Sequence, residues 1–106
     1  MTTRQRLANR RQAETFNVEC AGLSYVCTIG RFPDGRIAEI FLQSHRSNST
    51  ADVNARDASV ACSFALQFGA GVEDIRKALC RDSSGGASGP LGVALDIIAA
   101  GEGGSP

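Results

Sequence analysis

The chain has 106 residues, eleven of them basic and eleven acidic, and a net charge of zero. That length suits one domain, and no apolar run approaches the roughly 20 residues that a membrane-spanning helix needs. No signal-peptide core follows the basic head, so a cytosolic protein is expected.

The charge is unevenly placed. Arg4, Arg6, Arg10 and Arg11 precede the first acid, Glu14, so the remaining seven bases face all eleven acids. A +4 head on a −4 body has two readings: a solvated, disordered leader, or an arm that meets nucleic acid or an acidic partner. Residues 1–12 are read as the arm, 13–100 as one domain and 101–106 as a flexible tail. Cys20, Cys27, Cys62 and Cys80 form no CxxC pair, and His45 is the only histidine. No zinc or other metal site is expected from that spacing, and the cysteines read as small buried apolar residues of a reducing compartment.

From Glu14 the pattern alternates through Phe16, Val18 and Cys20, then Leu23, Tyr25, Cys27 and Ile29. A two-residue turn at Ala21-Gly22 opposes Cys20 to Leu23, Val18 to Tyr25 and Phe16 to Cys27, which puts the apolar residues on one face. Cys20 and Cys27 are then unpaired, which disfavours a disulfide between them. The next turn holds Asp34-Gly35, a strong hairpin signal because both central residues of a type I′ turn need positive φ. A two-residue turn pairs Ile29 with Ile40 and Cys27 with Leu42. A three-residue Pro33-Asp34-Gly35 loop opposes Ile29 to Glu39, and the first register is preferred because it matches faces. Val26, Phe32, Ile37 and Phe41 then share the second face of the sheet. That face should be polar if it is wet, so either a terminal helix covers it or another subunit or partner does.

A polar loop over residues 43–50 leads into a helix that runs to about Phe68. Ser49 or Asn54 is its N-cap, with Asp52 or Asp57 near the third position. Val53, Val60, Ala61, Phe64, Ala65 and Phe68 are its expected buried stripe, and Gly69 its C′ residue. Asp57 falls within that stripe, either as a first-turn cap or as a functional carboxylate with His45 or Arg46 as partner. A second short helix spans residues 72–80, with Val72, Ile75, Ala78 and Leu79 inward. Residues 81–89 are glycine-rich and read as a flexible connection; they lack the G-K-[ST] of a phosphate loop. Pro90 opens a third helix, with Leu91, Ala94, Leu95 and Ile98 on its apolar side. The expected fold is α+β, a three-stranded antiparallel meander against two to three helices.

Asp34-Gly35, Glu39-Ile40-Phe41, the Ser-rich loop, Ala58 to Gly69, and then Glu73, Ile75 and Ala78-Leu79 together resemble the TSCPD domain. That family occurs at the C-terminal end of vitamin B12-dependent ribonucleotide reductases and as small bacterial and phage proteins. The likeness covers roughly residues 14–100. The family's Thr-Ser-Cys-Pro-Asp run corresponds to Ala87-Ser88-Gly89-Pro90-Leu91, where Ser88 and Pro90 match and the cysteine and aspartate are missing. The thiol or metal chemistry of that motif is not implied here.

Radical ribonucleotide reduction needs a barrel of several hundred residues, so this chain is not expected to perform it. One histidine among Ser44, Ser47 and Ser49 is ordinary loop composition, and no nucleophile elbow is present. The expectation is a non-enzymatic binding module without a cofactor. Its first candidate partner is nucleic acid, held by Arg4, Arg6, Arg10 and Arg11 with Arg31 and Arg36 flanking the second turn. The alternative is a protein adaptor or inhibitor, phage-borne or acting on a reductase, that works through Val26, Phe32, Ile37 and Phe41. A homo-oligomer using the same face is a third reading.

Overall fold

The computed structural model describes residues 3–5 and 13–103. Strands β1 (Ala13–Cys20), β2 (Leu23–Arg31) and β3 (Ile37–Ser44) precede helices α1 (Thr50–Gln67), α2 (Val72–Ala78) and α3 (Pro90–Gly103). The sheet is antiparallel in the order β1-β2-β3, as the alternation required. In the first turn Ala21 and Gly22 both have positive φ, 52° and 77°, which are the two left-handed positions of a type I′ turn. Cys20 therefore opposes Leu23, Val18 opposes Tyr25 and Phe16 opposes Cys27.

The second turn differs from expectation. Only Gly35 is left-handed there, at φ 94°. Its N–H donates to the Phe32 carbonyl, and the Phe32 N–H donates to the Arg36 carbonyl, both at 2.9 Å. The loop is thus the three-residue Pro33-Asp34-Gly35 form. Ile29 still faces Ile40, and Cys27 still faces Leu42. A bulge reconciles the two: Gly30 pairs with Glu39 and Arg31 with Ile37, leaving Ala38 as the extra residue.

That bulge corrects the reading of the second face. One extra residue flips the alternation, so Ile37 turns into the core cluster. Phe32 is also buried, with the Arg36 guanidinium 4.8 Å from its ring centroid. Of the four residues assigned to one apolar sheet face, only Phe41 is exposed and Val26 is half-buried. The rest of that face is polar, with Thr15 bonded to Thr28 and the Ser24 hydroxyl donating to Glu19.

Of the two candidate N-caps of α1, Ser49 and Asn54, the first is used. The Ser49 hydroxyl accepts from the Asp52 N–H at 3.1 Å. At the other end the Gly69 N–H reaches the Leu66 carbonyl and the Ala70 N–H the Ala65 carbonyl, a Schellman closure with Gly69 at φ 110°. The buried side is not the expected one. Asp52, Ala55, Ser59, Cys62, Leu66 and Gln67 face inward, whereas Val53, Val60, Phe64 and Phe68 are 44–49% exposed.

The reason lies in β3, whose outer edge has no strand beside it among the described residues. Unpaired edge N–H and C=O groups need partners, and the polar side of α1 supplies them. Asp52 accepts from the Ser44 N–H at 2.9 Å, and Ser59 accepts from the Leu42 N–H at 3.2 Å. Ser63 both accepts from the Ile40 N–H and donates to the Ile40 carbonyl, each at 2.9 Å. Gln67 donates to the carbonyl of the bulged Ala38 at 3.1 Å.

The stretch read as a flexible connection is a closed turn. Arg81 bridges Ala87, the Asp82 N–H donates to the Gly86 carbonyl, and the Asp82 carboxylate accepts from Ser84 and Gly86. A Cβ on Gly92 would meet the Ala87 Cβ at 2.9 Å, so this glycine lets the turn lie directly on α3. Arg81 grips both oxygens of Asp96 at 2.6 and 2.8 Å, and Arg76 of α2 joins at 2.9 Å. Leu91, Ala94, Leu95 and Ile98 are buried as expected. Helix α2 ends at Ala78, which is exposed, and α3 continues to Gly103.

Three measurements check this packing. Ser59→Ala and Ser63→Ala should each destabilise the fold by about 1–3 kcal/mol in urea titrations, because each orphans a β3 backbone group. Ala61→Ser, at an exposed position of the same helix, should stay within about 0.5 kcal/mol. The Arg81 and Arg76 bonds hold the Asp96 carboxyl down to about 2. A depressed folded pKa contributes stability above the ordinary carboxylate range that is lost as pH falls through the folded value. Stability should therefore decline from about pH 4 to pH 2, and Asp96→Asn should flatten part of that decline. Burial pushes the Cys27 thiol up to about 12, with Cys62 adding to the rise, and burial pushes Cys62 up to about 11. A thiol reagent at pH 8 should modify the exposed Cys80 first and reach Cys27 and Cys62 only on unfolding.

Candidate functional site

Pairing the polar side of α1 with the β3 edge leaves the apolar side of the same helix outward. Val53, Val60, Phe64 and Phe68 form a row along it, and Phe41 of β3 stands beside them at 41% exposure. The row is continuous. Phe41, Val53, Arg56, Asp57 and Val60 line a shallow hollow of about 280 Å³. Phe41 and Val60 also line a second hollow of about 190 Å³ with Arg4, Glu39 and Phe64. Soluble proteins seldom leave a contiguous apolar surface of this kind uncovered.

Residues 3–5 lie at the C-terminal end of this face. The Arg4 guanidinium sits 4.5 Å from the Phe64 ring centroid, and its Nε donates to Gln67 Oε1 at 2.6 Å. The Gln5 N–H donates to the Gln67 carbonyl at 2.8 Å, and Arg36 donates to Gln5 Oε1 at 3.0 Å. Gln67 thus holds the N-terminal segment with one end of its amide and Ala38 of β3 with the other.

The other basic candidates are dispersed. Arg31 donates to Glu14 at 2.7 Å and to the Gly35 carbonyl at 2.8 Å. Arg36 is paired with Asp34 at 2.7 Å. Each has an acidic neighbour that offsets its charge for a phosphate. Arg6, Arg10 and Arg11 lie outside the described residues.

His45, Arg46 and Asp57 are all exposed, and no hydrogen bond or ion pair joins their side chains among the described residues. Asp57 caps nothing, since Ser49 is the cap and Asp52 the third-position acid. It stands in the apolar row between Val53 and Val60. Of the loop serines, Ser44 is buried and accepts from the Arg46 N–H, and the Ser49 hydroxyl donates to the Arg46 carbonyl. These hydroxyls organise the loop and do not address His45.

The buried carboxylate that sequence reasoning treated only as a possible cap acid is Asp52. It accepts from the Asn48 and Ser44 N–H groups, with Arg56 at 3.7 Å. The Asn48 bond, then the Ser44 bond, hold it below the usual carboxylate range. Its acceptor bonds fix the loop to the end of β3, which makes it a structural carboxylate. Among the described residues no cluster of His, Cys, Asp and Glu is arranged to hold a metal ion, and no helix is long and apolar enough to cross a membrane.

Compared with curated proteins, 71 residues of the chain, 67% of it, are 34% identical to a stretch of the vitamin B12-dependent ribonucleotide reductase of Agrobacterium fabrum. The matched stretch is 6% of that enzyme's length. No family model matches the chain, and no solved structure matches it. The chain is thus consistent with a domain related to a short segment of that reductase.

Proposed function

We propose that this chain is a non-catalytic protein-binding module, of the TSCPD kind carried by B12-dependent reductases, that engages its partner through the apolar face of α1 and β3. The observation that carries this reading is the inversion of α1: Val53, Val60, Phe64 and Phe68 face out while Asp52, Ser59 and Gln67 are buried. An interface core is typically apolar and aromatic with charges at its rim. Phe41, Phe64 and Phe68 with Arg4, Arg56 and Asp57 have that composition. The nucleic-acid reading is less well supported, because Arg31 is engaged by Glu14 and Arg36 by Asp34.

The test compares the parent with a Val60→Asp/Phe64→Asp variant, both positions being exposed. Each labelled protein is titrated with purified B12-dependent reductase, with unlabelled copies of itself, and with mixed DNA and RNA across a salt series. The expected result is a protein association that the variant weakens at least about tenfold, as loss of a central apolar anchor does. Salt-steep binding of nucleic acid that the variant leaves unchanged, with no protein association, overturns the reading.

A further inference from the structure

The apolar face is self-complementary, an inference that rests on its being the binding surface. Two features divide it into unlike halves. Toward the start of α1 it carries Asp57, whose carboxylate has no hydrogen bond or ion pair among the described residues, while the neighbouring Arg56 is held by Asp52 at 3.7 Å. Toward the end of α1 it carries Arg4, laid over Phe64 at 4.5 Å, with Glu39 of β3 in the same hollow. Asp57 and Arg4 thus flank Val60, one on each side along the row.

A two-fold rotation about an axis through Val60, perpendicular to the helix, exchanges these halves. In an antiparallel helix pair, facing positions run in opposite order. Val53 then meets Phe68 of the second copy, Val60 meets its own equivalent, and Asp57 meets Phe64 of the second copy with Arg4 upon it. Apolar faces apolar, and Asp57 faces Arg4. A parallel arrangement sets Asp57 against Asp57 and Arg4 against Arg4, which repel. The helix of 18 residues is about 27 Å long, close to the 30–35 Å extents of the described chain, so such a contact runs nearly the full length of the molecule.

We propose that two copies of this chain associate through this face about a two-fold axis, with α1 antiparallel to α1 and Asp57 of each copy paired with Arg4 of the other. This is an isologous interface, in which one patch serves both partners. The apolar row supplies the affinity, and the two exchanged ion pairs select the antiparallel register.

Sedimentation equilibrium of the full chain over a concentration series tests this. The parent should dimerise, and Val60→Asp/Phe64→Asp should be a monomer with an unchanged circular dichroism spectrum. Asp57→Arg alone and Arg4→Asp alone should each weaken the dimer about tenfold or more at low salt, because both cross-contacts become like-charged. An equimolar mixture of those two variants should restore it, since both cross-contacts then join opposite charges. A dimer that shows no such rescue overturns the register. A parent that stays monomeric yet binds the reductase through Val60 and Phe64 overturns the second copy as occupant and leaves the binding face standing. A monomer whose double variant alters no association overturns both.

Discussion

The hydrogen bonding of α1 to the open edge of β3 is the constraint on which the rest of the structure depends. A strand edge exposes alternate N–H and C=O groups, spaced two residues or about 6.6–6.8 Å apart. Side chains four residues apart on a helix rise by about 6 Å and lie on one face. Ser59, Ser63 and Gln67 follow that helical step, and Leu42, Ile40 and Ala38 follow the strand step in the opposite direction. The two spacings nearly agree, so a helix serves where a fourth strand would. Asp52 completes the series at Ser44, where β3 ends.

This arrangement explains why a three-stranded sheet with an edge strand as apolar as Ile-Ala-Glu-Ile-Phe-Leu does not present that edge for pairing. It also links local irregularities that otherwise look unrelated. The bulge at Ala38 brings one more carbonyl to the edge, and Gln67 takes it. The same bulge sends Ile37 into the core and keeps Ile29 opposite Ile40 despite the longer turn. Across from it, the Glu39 side chain lies over Gly30, where a Cβ would come within 2.7 Å of its carboxylate.

The far side of the molecule is held by different means. Helix α2 has no fully buried residue, and its position depends on half-buried Val72, Ile75 and Leu79 together with the Arg76–Asp96–Arg81 network. The glycine-rich turn is ordered because Asp82 satisfies its N–H groups and Gly92 lets it rest on α3. These contacts are structural. Among the described residues, the outer surface of α1 keeps a row of large apolar side chains that these contacts do not use, and that surface carries the functional reading.

The sequence by itself determined the order of elements, the first hairpin, the pairing of Ile29 with Ile40 and Cys27 with Leu42, the Gly69 close of α1, and the inward side of α3. Each of these is set by local rules: two-residue alternation, positive φ at turn residues, and satisfaction of helix ends. What only the tertiary structure decided is which side of α1 faces in. A helical wheel ranks sides by hydrophobicity and so placed Val53, Val60 and Phe64 in the core. The neighbour of that helix is not an apolar layer alone but a row of unpaired backbone groups, and leaving those unbonded costs more than exposing valine and phenylalanine side chains. The candidate face was illegible for the same reason. Its residues were visible in the sequence, but their exposure is a consequence of an edge strand that the helix had to satisfy.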